Sequence, residues 1–444
     1  MIQALRDALR LPDLRRRLFY TLLILVTYRA AAHVPVPGIN SQALQQLLEG
    51  TTGASQLFNL LDLLSGGAVA NYSILANGVY PYINASIILQ LLIPVIPALK
   101  RIAEEEGEAG RNKLNQWTYY ITIPLGALQA WGQAQLFSSA AGGQPILPQF
   151  GFHRPEFILP TLSVLVAMTA GTMFAIWLGE LISEQGIGNG LSLIIFGGIV
   201  SRTPVNLARI YTTDGWLGIL FFVAITALTV FVIVYFQEGQ RRIPVQYGKR
   251  VRGRRMYGGG STYIPLRINM AGMIPLIFAS SILTFPAVIA QFFLRSENVA
   301  VAQFAAGVMN FFTPGGAREW YTTLLYALLY FLSVVGFTYF YTFVLIEQQD
   351  LPGTLRRQGG FIPGIRPGRK TADYIEGVYR RITLVGALFL GGVAALPFVT
   401  QLVMETRVLL IQSTGLLIVV GVVVDTMRQL EAQLLMRHYE GFIK

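Results

Sequence analysis

The side chains that could do chemistry are few and scattered. Three histidines, His33, His153 and His438, lie too far apart in sequence to suggest a metal site or a catalytic triad. Cysteine is absent, which removes thiolate nucleophiles, disulfides and Cys-based metal sites together. Gly248–Lys249 is followed by Arg250 and not by Ser or Thr, so it is no phosphate-binding loop. GIGNG at Gly186–Gly190 is no dinucleotide fingerprint either, because no strand precedes it. The carboxylates Glu180, Glu184 and Asp425 fall at the ends of apolar stretches, not at their middles. Arg29 is the one cation well inside such a stretch, where it costs about 2.5–3.5 kcal/mol on insertion scales. Ion-coupled carriers need ionisable groups at the membrane midplane, and a membrane-embedded enzyme needs a nucleophile or a metal cluster there. Neither pattern is present. The expectation is a non-enzymatic conduit without metal or cofactor, driven by something else.

The elements that would carry such a conduit are hydrophobic. Of 444 residues, 53% are hydrophobic and only 13% are charged, about half the charge of an ordinary soluble chain. Apolar stretches long enough for a bilayer core of about 30 Å recur along the chain. They predict ten spans, near 18–36, 73–97, 115–137, 157–179, 187–206, 216–236, 268–293, 320–346, 382–400 and 408–427. Met1–Arg17 reads as an amphipathic helix with five arginines, not as a cleavable leader. An even count places both termini on one side. With the termini cytoplasmic, only Arg154, Arg202, Arg209, Arg295, Arg318 and Arg407 fall outside, and Arg29 lies within a span. Every other basic residue is then cytoplasmic, as the positive-inside rule requires. This is a multi-pass protein of the cytoplasmic (inner) membrane.

Two cytoplasmic loops hold most of the charge. In the first, near 237–267, Ile243, Val245, Tyr247 and Val251 alternate with polar residues before Gly258–Gly260, the pattern of a protruding β-hairpin. It carries Lys249, Arg250, Arg254 and Arg255. In the second, near 347–381, Pro363, Gly364, Pro367 and Gly368 hold Arg366 on a stiff turn. Such loops fix topology and touch anionic phospholipid, and their build also suits docking of an acidic or RNA-containing partner. Between the first two spans, LFNLLDLLSGGAVANYS (Leu57–Ser73) has an apolar run too short to cross, interrupted by Asn59 and Asp62. It is either an interfacial amphipathic helix or a short re-entrant helix that stoppers a pore.

Five strings then point to one family: GVYPYINASIILQLL (78–92), GTMFAIWLGELISEQGIGNGLSLIIFGGIVS (171–201), GQRRIPVQYGKRVRGRRMY (239–257), INMAGMIPLIFASSILTFP (268–286) and GFIPGIRPG with TADYIEGVYRRITLVGAL (360–388). They closely resemble the SecY/Sec61-alpha family of protein-translocase channels, and the resemblance runs from the first span to the last. It implies an all-α integral membrane fold with ten transmembrane helices in two pseudo-symmetric five-helix halves, here 1–206 and 207–444, and a short re-entrant plug helix. It implies a pore ring of Val79, Ile83, Leu191, Ile195, Ile277 and Ile418; from spacing alone these would be ordinary packing. It implies a plug at Leu57, Phe58, Leu60, Leu61, Leu63 and Leu64. It also implies a lateral gate along the second, third, seventh and eighth spans, with Asn84, Gln90 and Ser281 polar along it. The implied partners are SecE-like and SecG-like small subunits, a SecA-like ATPase or a ribosome on the basic loops, and signal peptides and nascent chains. A signal sequence with about ten apolar residues gains roughly 3–6 kcal/mol in lipid, enough to shift a gate equilibrium.

Overall fold

A computed structural model describes residues 6, 9–40, 42–44, 68–69, 71–93, 95–105, 107–140, 146–152, 154–247, 250–252, 255–257, 261–293, 298–312, 320–349, 351–403 and 412–443. The helices in chain order are α1 (Pro12–Ala31), α2 (Tyr80–Leu92), α3 (Pro97–Glu105), α4 (Gly107–Ala140), α5 (Pro155–Gln185) and α6 (Gly190–Glu238). Strands β1 (Gln240–Tyr247), β2 (Arg250–Arg252), β3 (Arg255–Tyr257) and β4 (Ser261–Arg267) come next. The chain then runs through α7 (Ile274–Phe293), α8 (Val299–Phe312), α9 (Trp320–Gln349), α10 (Leu351–Gln358), β5 (Gly360–Phe361), α11 (Arg369–Val403) and α12 (Gln412–Ile443). α6 breaks at Gly215, whose φ of 64° suits a residue without a side chain, and its two parts are the expected fifth and sixth spans.

Each expected span thus has a helix. Four of the described helical stretches are long and apolar enough to cross a membrane on length and composition alone: 155–185, 215–238, 320–358 and 369–396. The bent pair α2–α3 makes a fifth candidate. α1 starts earlier than hydropathy suggests, at Pro12, and stops at Ala31. Arg29 therefore stands in the last turn of a helix, where the macrodipole favours a cation, and not at mid-span.

The second span departs most from expectation. Residues 73–79 are turns, α2 has only 13 residues, and α3 is bent away from it by 105°. Thirteen residues rise only about 20 Å, short of the hydrocarbon core. Irregular backbone at membrane depth survives only where protein supplies its hydrogen bonds, and here it does. Val36 N–H donates to the Tyr72 carbonyl at 3.0 Å, Ile74 N–H to Val34 at 3.1 Å, and Ser73 N–H to Ala68 at 3.1 Å. Val69, Tyr72, Ser73, Leu75 and Ala76 are all buried. Gly171 of α5 permits this crossing, because a Cβ there would strike the Ile74 carbonyl.

The GIGNG segment is likewise a packing device. Asn189 caps α6 by accepting from Ser192 N–H at 3.0 Å. A Cβ on Gly190 would collide with the Gly179 carbonyl of α5, so glycine brings the two helix ends into contact. The central cluster joins Ile24 and Tyr28 of α1, Leu75 and Val79, and Leu178 and Ile182 of α5. Ile194 and Ile195 of α6, Leu276 and Ile277 of α7, Tyr330 of α9, Leu390 of α11 and Ile418 of α12 complete it.

The expected hairpin is present, with a different turn. β1 and β4 pair antiparallel from Gln240↔Arg267 to Gln246↔Ser261, and β2–β3 continue the ribbon as far as Arg252↔Arg255. The chain thus reverses between Arg252 and Arg255, not at the glycines expected to break it. Sequence reading missed β5, which adds to the other edge of β1 through Gln246↔Phe361 and Tyr247↔Gly360. The two basic loops therefore share one three-stranded sheet, ordered β4-β1-β5. They also share one core, in which Ile243, Val245 and Leu266 pack with Leu355, Ile362, Ile375, Val378 and Tyr379.

Candidate functional site

The six aliphatic positions come from four elements and fall in one apolar cluster. Val79, Ile195, Ile277 and Ile418 are buried, and Ile83 and Leu191 are partly buried against them. Val79 is the residue just before α2, delivered by the turns that precede it. Gly78 N–H donates to Leu75 at 2.7 Å, and Ile83 N–H donates to the Val79 carbonyl at 3.1 Å. Leu191 and Ile195 occupy the first turns of α6, with Leu191 seated on Gly179. Ile277 lies in the first turn of α7, where its N–H reaches the Met273 carbonyl at 3.4 Å. Ile418 is one turn before Gly421, which rests on Met273 and Gln237. Val79, Leu191 and Ile277 thus lie at the starts of three helices. Side chains here carry no polar atom and can only exclude water, as a hydrophobic constriction does.

The expected plug residues Leu57, Phe58, Leu60, Leu61, Leu63 and Leu64 lie outside the described residues. Downstream of them, Ala68 and Leu75 belong to the same central cluster as the six aliphatics.

Of the three polar seam candidates, the structure brings two together. Asn84 on α2 and Ser281 on α7 are 8% and 1% exposed. Their link is Tyr80, which sequence reading missed. Its hydroxyl donates to the Ser281 carbonyl at 3.1 Å, with the Asn84 amide and the Thr284 hydroxyl beside the same phenol. That bond crosses from the N-terminal to the C-terminal half of the chain. Gln90 does not reach across; its amide donates to Ser86 of its own helix at 3.1 Å.

The basic candidates sit on the sheet shared by the two loops or on its extension. Arg250 and Arg255 stand on β2 and β3, and Lys249 and Arg254 lie outside the described residues. Arg366 is exposed on a turn closed by Thr371, whose hydroxyl donates to the Arg366 carbonyl at 3.0 Å. Gly364 and Gly368, with φ of 81° and 112°, give that turn its shape. Ile362 and Ile365, just before Arg366, anchor the turn in the core that the two loops share.

An ion pair at the base of the hairpin was also missed. Arg428 of α12 contacts Glu238 at 2.8 Å and donates to the Gln237 carbonyl at 3.0 Å. Arg267 lies in the same group, and burial and then the nearby Arg428 lower its pKa from the ordinary arginine value. The sequence signal would have been an arginine one turn beyond a span, facing the glutamate that ends another.

A family model described as SecY matches residues 73–427, which contain the six aliphatic positions, the Tyr80–Ser281 bond and both basic loops. The chain belongs to the SecY family. It is 41% identical over 451 residues to the protein translocase subunit SecY of Thermotoga maritima, covering 100% of this chain and 98% of that one. It is 42% identical over 462 residues to that of Mycobacterium leprae, covering all of both. Among solved structures it resembles a protein-conducting channel with a TM-score of 0.60 at 18% identity, covering 94% and 92% of the two chains. The Sec61 chain of a canine ribosome–channel complex matches with the same TM-score, identity and coverage. The SecY fold is all-α and membrane-spanning with ten transmembrane helices, which accounts for the expected spans too short or too polar to qualify on their own.

Proposed function

We propose that this chain is the protein-conducting channel subunit of a Sec-type translocase. It passes unfolded secretory polypeptides across the cytoplasmic membrane and releases transmembrane segments sideways into it. It is not an enzyme, and its motive force comes from a docked partner. The observation that carries the reading is that Val79, Ile83, Leu191, Ile195, Ile277 and Ile418 belong to one apolar cluster, with all but Ile418 near the starts of α2, α6 and α7. A ring of branched aliphatics seals by dewetting, yet yields to an extended chain because nothing in it is covalently or ionically tied.

The other parts take their roles from position. Leu57–Leu64 enters the chain just before Ala68 and Leu75, so a plug there packs under the ring. The seam between α2 and α7, held by Tyr80, is the lateral gate. A SecA-like ATPase or a ribosome docks on the sheet that joins the two basic loops, and SecE-like and SecG-like subunits brace the helices from outside. Both termini are cytoplasmic, as the distribution of arginine requires. The test is resting conductance in planar bilayers. Serine at four or more ring positions gives a channel that leaks small ions without substrate, whereas unchanged conductance would move the seal elsewhere.

A further inference from the structure

Helix α8 lies in a stretch that hydropathy leaves as an outer loop, between the seventh and eighth spans. It holds 14 residues, VAVAQFAAGVMNFF, without one charge. A soluble loop helix buries its apolar stripe and shows a polar face to water; α8 exposes Gln303 and Asn310 along one side and apolar groups as well. Val299 and Phe304 are 68% and 74% exposed, and Val301 is exposed beside them. A neighbouring side is packed. Ala305 is buried, Met309 rests on the cluster that holds Val36, Tyr72 and Ala130 of the N-terminal half, and Phe312 rests on the central cluster. Asn298 caps the helix, accepting from Ala300 N–H at 3.1 Å, so its start is fixed.

The outward side continues exposed apolar surface at the ends of the neighbouring spans. Ile289 and Phe293, at the end of α7, are exposed just before it, and Trp320 and Tyr321 are exposed at the start of α9 after it. Trp and Tyr at a span end mark the membrane–water boundary. Fourteen residues reach only about 21 Å, too short to cross, so such a helix lies within the interface.

We propose that α8 is seated in the membrane interface, and that the side carrying Val301 and Phe304, neighbours at i and i+3, contacts phospholipid acyl chains of the outer leaflet. The cysteine-free chain permits a direct test. The full-length channel, with whatever subunits purify with it, carries one bimane-labelled cysteine at Phe304 and is reconstituted in phosphatidylcholine–phosphatidylglycerol vesicles. Cysteines at Tyr263 on the cytoplasmic hairpin and at Ala305 serve as water-exposed and protein-buried references. The expected result is strong quenching at position 304 by lipids with a nitroxide near the headgroup end of the acyl chain, at least fivefold above that at 263, with little quenching by aqueous iodide. Iodide quenching equal to that at 263 would place the face in water. Silence to both quenchers, as at 305, would place it under another protein. Either outcome overturns the proposal, and neither bears on whether the channel translocates. If Phe304→Cys fails to fold, Val301→Cys, one turn before it, reads the same side.

Discussion

Removing one oxygen atom from the seam isolates what Tyr80 contributes to closure. Tyr80→Phe keeps the ring, which is 6% exposed, and deletes the donor that reaches the Ser281 carbonyl 3.1 Å away on α7. An interhelical hydrogen bond in a membrane is worth about 0.6 kcal/mol on average and about 1.7 at most. The closed-to-open ratio should therefore fall about threefold, and by no more than about eighteenfold. A signal sequence opens the gate through its own partition into lipid, at about 0.3–0.6 kcal/mol for each leucine. The lost bond thus equals one or two leucines. A reporter whose signal is shortened by two leucines should be exported by the Tyr80→Phe channel at near the normal rate, while one shortened by five should stay blocked. Tyr82→Phe is the control, since Tyr82 faces Tyr119 of the same half at 5.7 Å between ring centroids. If Tyr80→Phe folds normally and demands the same signal length as the parent, the bond is not part of the closed state's advantage. If Tyr82→Phe relaxes the demand equally, the effect is not specific to the seam.

Deleting Leu57–Leu64 should leave a folded channel that leaks at rest and accepts weaker signals. A disulfide between cysteines introduced at Leu60 and Ile83 should form in the idle channel, and its absence there and at neighbouring pairs would favour an interfacial helix instead. Arg366→Glu should abolish ATPase-driven transport while leaving insertion and thermal stability unchanged, because the side chain is exposed on a turn held from behind by Ile362 and Ile365. Gly360→Val should weaken partner binding at the hairpin more than 100 residues away in sequence. A Cβ at Gly360 already meets Tyr247 at 3.0 Å and Leu355 at 3.2 Å, so valine pries β5 from β1. Partner affinity measured on intact vesicles decides this, and parental affinity would show that the loops dock separately.

What sequence shows and what it hides divide along a physical line. Hydropathy reports the solvent around a segment, so the spans and their basic flanks are legible, and alternation at Ile243, Val245 and Tyr247 reveals a strand because one face is buried. The same signal misplaces the start of the second span. Residues 73–79 are as apolar as a helix needs, and only the donors Val36 and Ile74 and the opening at Gly171 show why they can stay irregular there. It also passes over α8, since an uncharged run of 14 residues is too short to be counted as a span. Tyr80 and β5 are invisible for a second reason: their partners are remote. A phenol buried in a helix has no sequence signature until α7 places a carbonyl opposite it, 201 residues away. Two residues of strand have none until β1 offers its free edge. In a channel, the contacts that hold two halves together must be few and weak enough to part under a push of a few kcal/mol. Such contacts are made by single side chains meeting across the molecule, not by the repeated patterns that sequence reading detects. The Tyr80–Ser281 bond, at about the strength of one or two leucines, fits the gate proposed for this seam. A gate set at this level opens for a complete signal sequence and stays shut against a polypeptide lacking one.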